Sequence, residues 1–294
     1  MNQEIDFKKK LKIYIYFLIF YAIFYLYTKH NVSNDSSISE WLINYHGGFT
    51  RRGLGGEINF FLANITNLSL RENIFLTQSF IHIFYLVLIL RYLKNFKFNI
   101  VQIFAFFTPI FLFYPIAEIE ALGRKEMLLF LFFISAIFLC KKQYSSKILN
   151  NYIFFSFPFV CLIWEEVVLF APYLVVLIVF KNELITFSKT FKKVFIIFIP
   201  SIITFLIIFS LPLSKDGHSA MCAYLWSQFG EKCYMSATLL ISNTIYFDTI
   251  EVVHGNATLV HYFRYLIVFL IGFLPLNLLI FKNSFKDNSN FINK

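Results

Sequence analysis

Long apolar runs, each bounded by basic or polar residues, are the feature that most limits what this chain can form. Each run is about 15–22 residues long, which lets a helix cross the hydrocarbon core of a bilayer. Hydrophobic residues make up 58% of the chain and charged residues only 15%, unlike a soluble domain. The chain is therefore predicted to be an integral membrane protein. The clearest runs are residues 13–27, 74–90, 98–117, 127–140, 194–211 and 262–281.

The predicted fold class is all-α, a polytopic transmembrane helical bundle. Lipid offers the backbone no hydrogen-bond partners, and the runs lack the alternation of barrel strands. Another apolar stretch, residues 152–180, is interrupted by Trp164, Glu165 and Glu166. We interpret it as two short helices whose connecting turn carries both glutamates. This gives about eight spans in a single membrane domain, residues 1–294.

The distribution of lysine predicts the orientation of these spans. Lys8, Lys9, Lys10 and Lys12 precede the first run, so the positive-inside rule places the N-terminus in the cytoplasm. The lysine-rich loops that begin at residues 94, 141, 181 and 282 then share that side. Both termini are predicted to be cytoplasmic, in a bacterial inner membrane. The outer loops are predicted at about residues 29–73, 115–126, 164–167 and 212–261.

The net charge of +9 could suggest nucleic-acid binding in a soluble protein. Here the basic residues mostly separate the apolar runs, which is typical of membrane orientation instead. No nucleic-acid partner is predicted. Membrane lipid is the partner that the composition indicates.

One polar, glycine-dense segment, residues 45–57, stands out within the first outer loop. It contains five of the ten glycines and the adjacent pair Arg51 and Arg52. Guanidinium groups bind phosphate in a fork, and turn glycines can direct backbone N–H groups at the same anion. The segment predicts an anion site, with anchoring to lipid headgroups as the alternative. After it, Leu54, Ile58, Phe61, Leu62 and Ile65 recur at helical spacing, which predicts an amphipathic helix in the membrane interface.

Carboxylates at predicted membrane depth are the candidates for acid–base chemistry. Glu165 and Glu166 interrupt an apolar stretch and need a proton, a cation or a partner such as Arg51 or Arg124. A carboxylate in such a position can act as a general base. His218, His254 and His261 are too dispersed for a recognisable metal site, and no metal or cofactor is predicted. Cys222 and Cys233 share the last outer loop, where an oxidising exterior would allow a disulfide.

The arrangement resembles the bacterial O-antigen and capsular polysaccharide repeat-unit polymerases, and more loosely other membrane glycosyltransferases with large outer loops. The features that carry the resemblance are the loop with Arg51 and Arg52, the amphipathic segment after it, the turn at residues 123–126, and the long loop before the last span. The chain is shorter than those polymerases usually are, with fewer spans.

The resemblance implies metal-independent, inverting glycosyl transfer on a polyprenyl-diphosphate-linked oligosaccharide, with a chain-length regulator as a further partner. It assigns the diphosphate to Arg51, Arg52 and Arg124, and the base to Glu165, Glu166 or His218. The groups that would orient sugars are His46, Glu57, Glu118 and Glu120; the last three could instead hold a divalent cation under the wider analogy.

Two other functions are compatible with the sequence. A transporter or lipid-linked glycan flippase predicts charges distributed through the spans, whereas here they gather at the span ends. A non-enzymatic partner in glycan assembly is the third reading, and it predicts that substitution of Arg51 or Glu165 has no effect on turnover.

Overall fold

In the computed structural model of the chain, the regular elements of the described part are all helices. The described residues are 2–32, 36–93, 112, 122–141, 143–182, 187–211, 213–234, 236–237 and the isolated positions 259, 262, 263, 266, 267 and 270. Their helices are α1 (Asn2–His30), α2 (Ser36–Ser39), α3 (Leu54–Thr66), α4 (Leu70–Leu93), α5 (Glu126–Leu139), α6 (Ser146–Ile163), α7 (Ala171–Asn182), α8 (Phe187–Ser210) and α9 (Lys215–Phe229). Two 3₁₀ turns, Glu40–Leu42 and Glu165–Phe170, complete the described elements.

Four of these helices are long and apolar enough to cross a membrane: Lys8–His30, Leu70–Leu93, Ser146–Ile163 and Thr190–Ser210. Helix α5 is apolar but shorter. The predicted run 98–117, apart from residue 112, and most of the run 262–281 lie outside the described residues. The described part of the chain therefore contains four candidate spans, compared with about eight predicted.

The outward surfaces of the candidate spans are apolar. Phe20, Phe80, Phe155 and Phe209 each expose more than half of their side-chain surface. Exposed aromatic side chains in such number would be costly in water. They are compatible with a lipid environment, in agreement with the membrane protein predicted from composition.

Two buried apolar clusters hold the helices together. The first joins α1, α3, α4 and the start of α5, with Leu18, Ile74 and Leu86 fully buried. The second joins α5 to α6, α7 and α8 around Phe132, Phe157 and Phe198. Because α5 contributes to both clusters, it fixes the first group of helices against the second.

The stretch 152–180 is divided into two helices, as the sequence predicts. Helix α6 ends at Ile163, and Trp164 is extended, with φ −154° and ψ 104°. A 3₁₀ turn that begins with Glu165 and Glu166 then leads into α7. Pro172 lies in the first turn of α7, where its missing N–H breaks no helical hydrogen bond.

Helix α3 forms where the sequence predicts an amphipathic helix, but the predicted apolar stripe is not the face that packs against the protein. Its face toward the protein buries Gly55, Gly56, Asn59, Phe60 and Ala63. The predicted apolar stripe includes residues 58, 61 and 65, which are exposed. The face with the buried residues packs against the rest of the protein. The exposed apolar face is available to lipid.

The bundle has two chemically different ends. At one end, Lys181 donates hydrogen bonds to the carbonyls of Cys140 and Lys141, and the Lys141 ammonium lies 5.4 Å from the ring centre of Tyr92. These positions are the C-terminal ends of α4, α5 and α7. Several of the arginines and glutamates described below lie next to the N-terminal ends of α5 and α7.

Candidate functional site

Arg52 and Glu165 form the central contact of the site. Arg52 Nε donates to Glu165 Oε1 at 3.0 Å and to Oε2 at 2.8 Å. Arg52 Nη2 donates to Glu166 Oε1 at 2.8 Å. The side chain of Glu165 is only 6% exposed, whereas that of Glu166 is 52% exposed. One guanidinium therefore neutralises a buried carboxylate and holds an accessible one beside it.

The electrostatics of this pair follow from its contacts. Burial alone would raise the pKa of the Glu165 carboxyl, but the hydrogen bonds and charge of Arg52 outweigh it and lower the pKa below its ordinary value. Burial alone would lower the pKa of Arg52, and Glu165 more than reverses this effect. Both groups are thus held ionised.

The backbone at Arg52 adopts an unusual conformation. Its φ is +65°, the left-handed region that few residues other than glycine enter. The carbonyl of Arg52 accepts a 2.8 Å hydrogen bond from Lys125 Nζ. This bond comes from a distant loop and helps to hold the strained residue in place. The Arg52 guanidinium reaches the turn after α6, where it binds both glutamates.

Lys125 is fully buried, and its environment is unusual for a lysine. Its ammonium lies 5.6 Å from the ring centre of Trp41, a cation–π contact. The Trp41 indole N–H donates to the Gly123 carbonyl at 2.8 Å, which fixes the turn that carries Lys125. Burial lowers the pKa of Lys125 to about 7.

Arg124 organises a second pair of carboxylates. Its Nη2 lies 3.4 Å from Glu40 Oε1 and 2.9 Å from Glu126 Oε1. The side chain of Glu40 is 4% exposed and that of Arg124 is 38% exposed. Arg124 thus bridges a buried glutamate and a glutamate at the start of α5.

Arg51 is the most accessible cation of the group. Its side chain is 44% exposed, and its Nη1 lies 3.7 Å from Glu165 Oε1. This distance is an ion-pair contact rather than a good hydrogen bond. Among the described residues the Arg51 guanidinium donates no hydrogen bond, so its N–H groups can serve another partner.

These eight side chains form one group, which we call the arginine–glutamate cluster: Glu40, Arg51, Arg52, Arg124, Lys125, Glu126, Glu165 and Glu166. It contains four basic groups and four carboxylates from four segments of the chain: residue 40, residues 51–52, residues 124–126 and residues 165–166. Within the described part of the chain, three buried atoms of the cluster lack a hydrogen-bond partner: Glu40 Oε2, Arg124 Nε and Glu126 Oε2. Such atoms are costly unless a ligand or water satisfies them.

The structure brings together five of the predicted site residues: Arg51, Arg52, Arg124, Glu165 and Glu166. Glu118 and Glu120 lie outside the described residues. The remaining predicted residues have other partners.

Glu57, predicted to orient a sugar, accepts a 2.7 Å hydrogen bond from the backbone N–H of Tyr45. It thereby closes the glycine-rich loop onto the first turn of α3. The ring of His46 stacks on that of Tyr224, with ring centres 3.2 Å apart. Both residues shape the loop that presents Arg51 and Arg52.

His218, a predicted candidate for the base, is buried in α9, and its Nε2 lies 3.0 Å from the carbonyl oxygen of Ala237. Cys222, one turn further along α9, is joined to Cys233 by a disulfide. These residues pack near Ile43, which precedes the glycine-rich loop. Through this packing they support the segment that leads into the glycine-rich loop.

Sequence reasoning missed Glu40 and the role of Lys125. Glu40 lies at the edge of a polar segment, where a solvated carboxylate is the ordinary expectation. Lys125 follows Arg124 and looks like part of a basic turn. The one available signal was the spacing of residues 123–126, in which a glycine and three consecutive charges directly precede an apolar helix.

The close approach of α3 to the preceding segment gives a first testable prediction. A Cβ at Gly56 would lie 2.0 Å from the carbonyl oxygen of Ile43. Gly56→Ala is therefore expected to displace α3, move Arg52 from Glu165, and destabilise the protein by about 1–3 kcal/mol, the usual cost of overpacking. Equilibrium unfolding of the purified protein measures this. Asn64→Ala, at an exposed position of the same helix, is the matched control, and equal stability of the two variants would contradict the prediction.

The buried lysine gives a prediction about pH. The pKa of Lys125 is about 7 in the folded protein, against an ordinary value of 10.5. Between these values the unfolded chain binds more protons than the folded one, so stability rises with pH, by at most about 1.4 kcal/mol per unit. Below pH 7 the charged lysine costs stability. Lys125→Met is expected to remove this rise between pH 7 and 10, as measured by unfolding at each pH.

The control for this experiment is Lys192→Met, which replaces an exposed lysine of α8. It should keep the pH dependence of the wild type. An identical pH dependence in the wild type and in Lys125→Met would show that Lys125 titrates alike in the folded and unfolded chains.

Comparison of the chain with protein-family models, with curated proteins and with solved structures gives no match.

Proposed function

We propose that this chain is a membrane glycosyltransferase that acts on polyprenyl-diphosphate-linked glycans, in the manner of an O-antigen or capsule repeat-unit polymerase. One observation supports this best. Segments far apart in the chain converge into one charged cluster, which contains two partly exposed arginines, Arg51 and Arg124. The same cluster contains an accessible carboxylate, Glu166, which Arg52 holds. This combination suits binding of an anionic leaving group together with activation of a hydroxyl.

Arg51 and Arg124 are assigned to the diphosphate. They are the most exposed guanidiniums of the cluster, at 44% and 38%. Each can offer two parallel N–H donors to phosphate oxygens. Arg52, which is 17% exposed and bound to two glutamates, is instead assigned to positioning.

Glu166 is assigned as the general base. One of its oxygens is held by Arg52, and more than half of its side chain is accessible. In the proposed step Glu166 takes the proton of an acceptor hydroxyl, whose oxygen bonds to the anomeric carbon of the donor sugar. The bond from that carbon to the diphosphate oxygen breaks, and the leaving diphosphate keeps the electron pair. Attack from the opposite side inverts the anomeric centre.

An apolar groove lies next to the turn that carries Glu166. It has a volume of about 470 Å³ and lies between α6, α7 and α8; Val168, Ala171, Val175, Phe198 and Phe205 are among its lining residues. Val168 is two residues after Glu166. A polyprenyl chain in this groove would place its diphosphate near Arg51.

The proposed topology has about eight spans, with both termini in the cytoplasm of a bacterium and the cluster at the outer face of the inner membrane. The separation of the two ends of the bundle supports it: Lys141 and Lys181 meet at one end, and the arginine–glutamate cluster lies at the other. A lysine-rich end is typical of the cytoplasmic side.

The test is the surface polysaccharide of a deletion strain that is complemented with wild type, Arg51→Ala or Glu166→Gln. We expect both variants to lose the ladder of long chains and to retain a single capped repeat unit at normal protein levels. Loss of all displayed repeat units would indicate a flippase instead. An unchanged ladder in both variants would contradict the proposed transferase and favour a scaffold.

A further inference from the structure

His218, Cys222 and Cys233 form a compact group in which one potential ligand atom from each residue lies within 4.8 Å of the other two. In the structure the two cysteines form a disulfide. We infer that reduction of this disulfide creates a site for one zinc ion, with one imidazole and two thiolate ligands. This site is separate from the proposed glycosyl transfer, and its test does not depend on that activity.

Helix geometry aligns the first two ligands. His218 and Cys222 are four residues apart on α9, so their side chains lie on the same face of the helix. Cys222 Sγ is 3.8 Å from His218 Nδ1 and 3.6 Å from Nε2. A tetrahedral zinc ion, with bonds of about 2.0 Å to nitrogen and about 2.3 Å to sulfur, holds such atoms about 3.5 Å apart. The imidazole and the sulfur therefore have nearly the spacing of zinc ligands.

The other ring nitrogen of His218 has the partner that a metal-bound histidine requires. Its Nε2 lies 3.0 Å from the Ala237 carbonyl oxygen. A carbonyl can only accept, so Nε2 carries the proton and donates it, which leaves the lone pair on Nδ1. Zinc-binding histidines characteristically donate their second N–H to a carboxylate or a carbonyl.

The third ligand is held in place independently of the disulfide. Arg71 binds both carboxylate oxygens of Glu231, two residues before Cys233, at 2.5 and 2.9 Å. Gly230, with φ +66°, ends α9. Its backbone N–H donates a hydrogen bond to the carbonyl oxygen of Trp226. Opening of the disulfide therefore leaves Cys233 near Cys222. Two thiolate sulfur atoms on one zinc ion lie about 3.8 Å apart.

The disulfide and the metal site exclude each other, because the same sulfur atoms form both. A dithiol reductant supplies two electrons and two protons, which gives two cysteine thiols and oxidises the dithiol to its own disulfide. Zinc then displaces the two thiol protons. With three protein ligands, the fourth position is available to water or to another group.

The experiment uses the purified full chain in detergent. One sample is kept oxidised, and a second is reduced with a phosphine, which is then removed under argon. Both are titrated with Co²⁺, whose thiolate charge-transfer absorption reports sulfur ligation, and Zn²⁺ is then added in competition. We expect the reduced protein to bind one Co²⁺ that Zn²⁺ displaces, and the oxidised protein to show no such absorption.

Variants assign the ligands. Cys222→Ser and Cys233→Ser should each abolish the thiolate absorption, and His218→Ala should weaken binding by at least about tenfold. The matched control replaces the two free cysteines, Cys140 and Cys161, by serine and should keep the site. Absence of the absorption in the reduced wild type would overturn the inference, and so would an equal signal in the oxidised protein. That comparison needs no variant and is independent of any effect of substitution on folding.

Discussion

Arg52→Met is expected to destabilise the protein by about 3 kcal/mol, the lower end of the range for one partner of a buried ion pair. Glu165 has a 6% exposed side chain, and both of its oxygens accept from Arg52 Nε. Without Arg52, this carboxylate must take up a proton or remain charged and unpaired. Arg51, at 3.7 Å, is too far away to replace those hydrogen bonds.

A double-mutant cycle separates the pair from the rest of the structure. Glu165→Gln alone should also destabilise the protein, because it leaves Arg52 without its main partner. The double variant should be much more stable than the sum of the two single effects predicts. Equilibrium unfolding in detergent gives the free energy of unfolding of all four proteins. Additive effects of the two substitutions would show that Arg52 and Glu165 do not stabilise each other.

The control for Arg52→Met is Arg91→Met, which removes an exposed arginine near the C-terminus of α4. Surface substitutions of this kind usually change stability by less than about 0.5 kcal/mol. A similar small effect of Arg52→Met would show that Glu165 finds another partner.

Glu166→Gln is expected to lower the rate of glycosyl transfer by about 10²- to 10⁴-fold, the usual contribution of a general base. The amide has nearly the same shape as the carboxylate but cannot accept the proton. Stability should change by less than about 1 kcal/mol, because Glu166 is 52% exposed and its ion pair is partly solvated. The length distribution of glycans made from a polyprenyl-diphosphate-linked oligosaccharide measures the rate.

The neighbouring glutamates provide an internal comparison for this prediction. Glu165→Gln should reduce both stability and turnover, since it releases Arg52, whereas Glu166→Gln should reduce turnover alone. Glu72→Gln, at an exposed carboxylate in the first turn of α4, should reduce neither. Normal turnover by Glu166→Gln at normal protein levels would rule out Glu166 as the base.

Parts of the site could be anticipated from the sequence because they depend on local patterns. Two adjacent arginines among glycines indicate a shaped loop, and two glutamates inside an apolar stretch need a cationic partner. The sequence named Arg51 or Arg124 as that partner, and Arg51 does lie 3.7 Å from Glu165. The main partner, however, is Arg52.

The choice of Arg52 depends on tertiary structure. Arg52 occupies the left-handed region with φ +65°, and Lys125 holds its carbonyl from a segment 73 residues away. No local pattern distinguishes Arg52 from Arg51. The burial of Glu40 and Lys125 likewise arises from the packing of distant segments.

The sequence by itself determined that this chain forms apolar helices, where the stretch 152–180 breaks, and which loops contain the charged candidates. These features follow from hydrogen bonding within each segment and from the length and apolarity of each run. Only the tertiary structure decided which arginine meets which glutamate, which face of α3 is buried, and that α5 joins the two apolar clusters. Those choices depend on side-chain packing between helices, because the four described candidate spans have similarly apolar surfaces and therefore do not specify their neighbours.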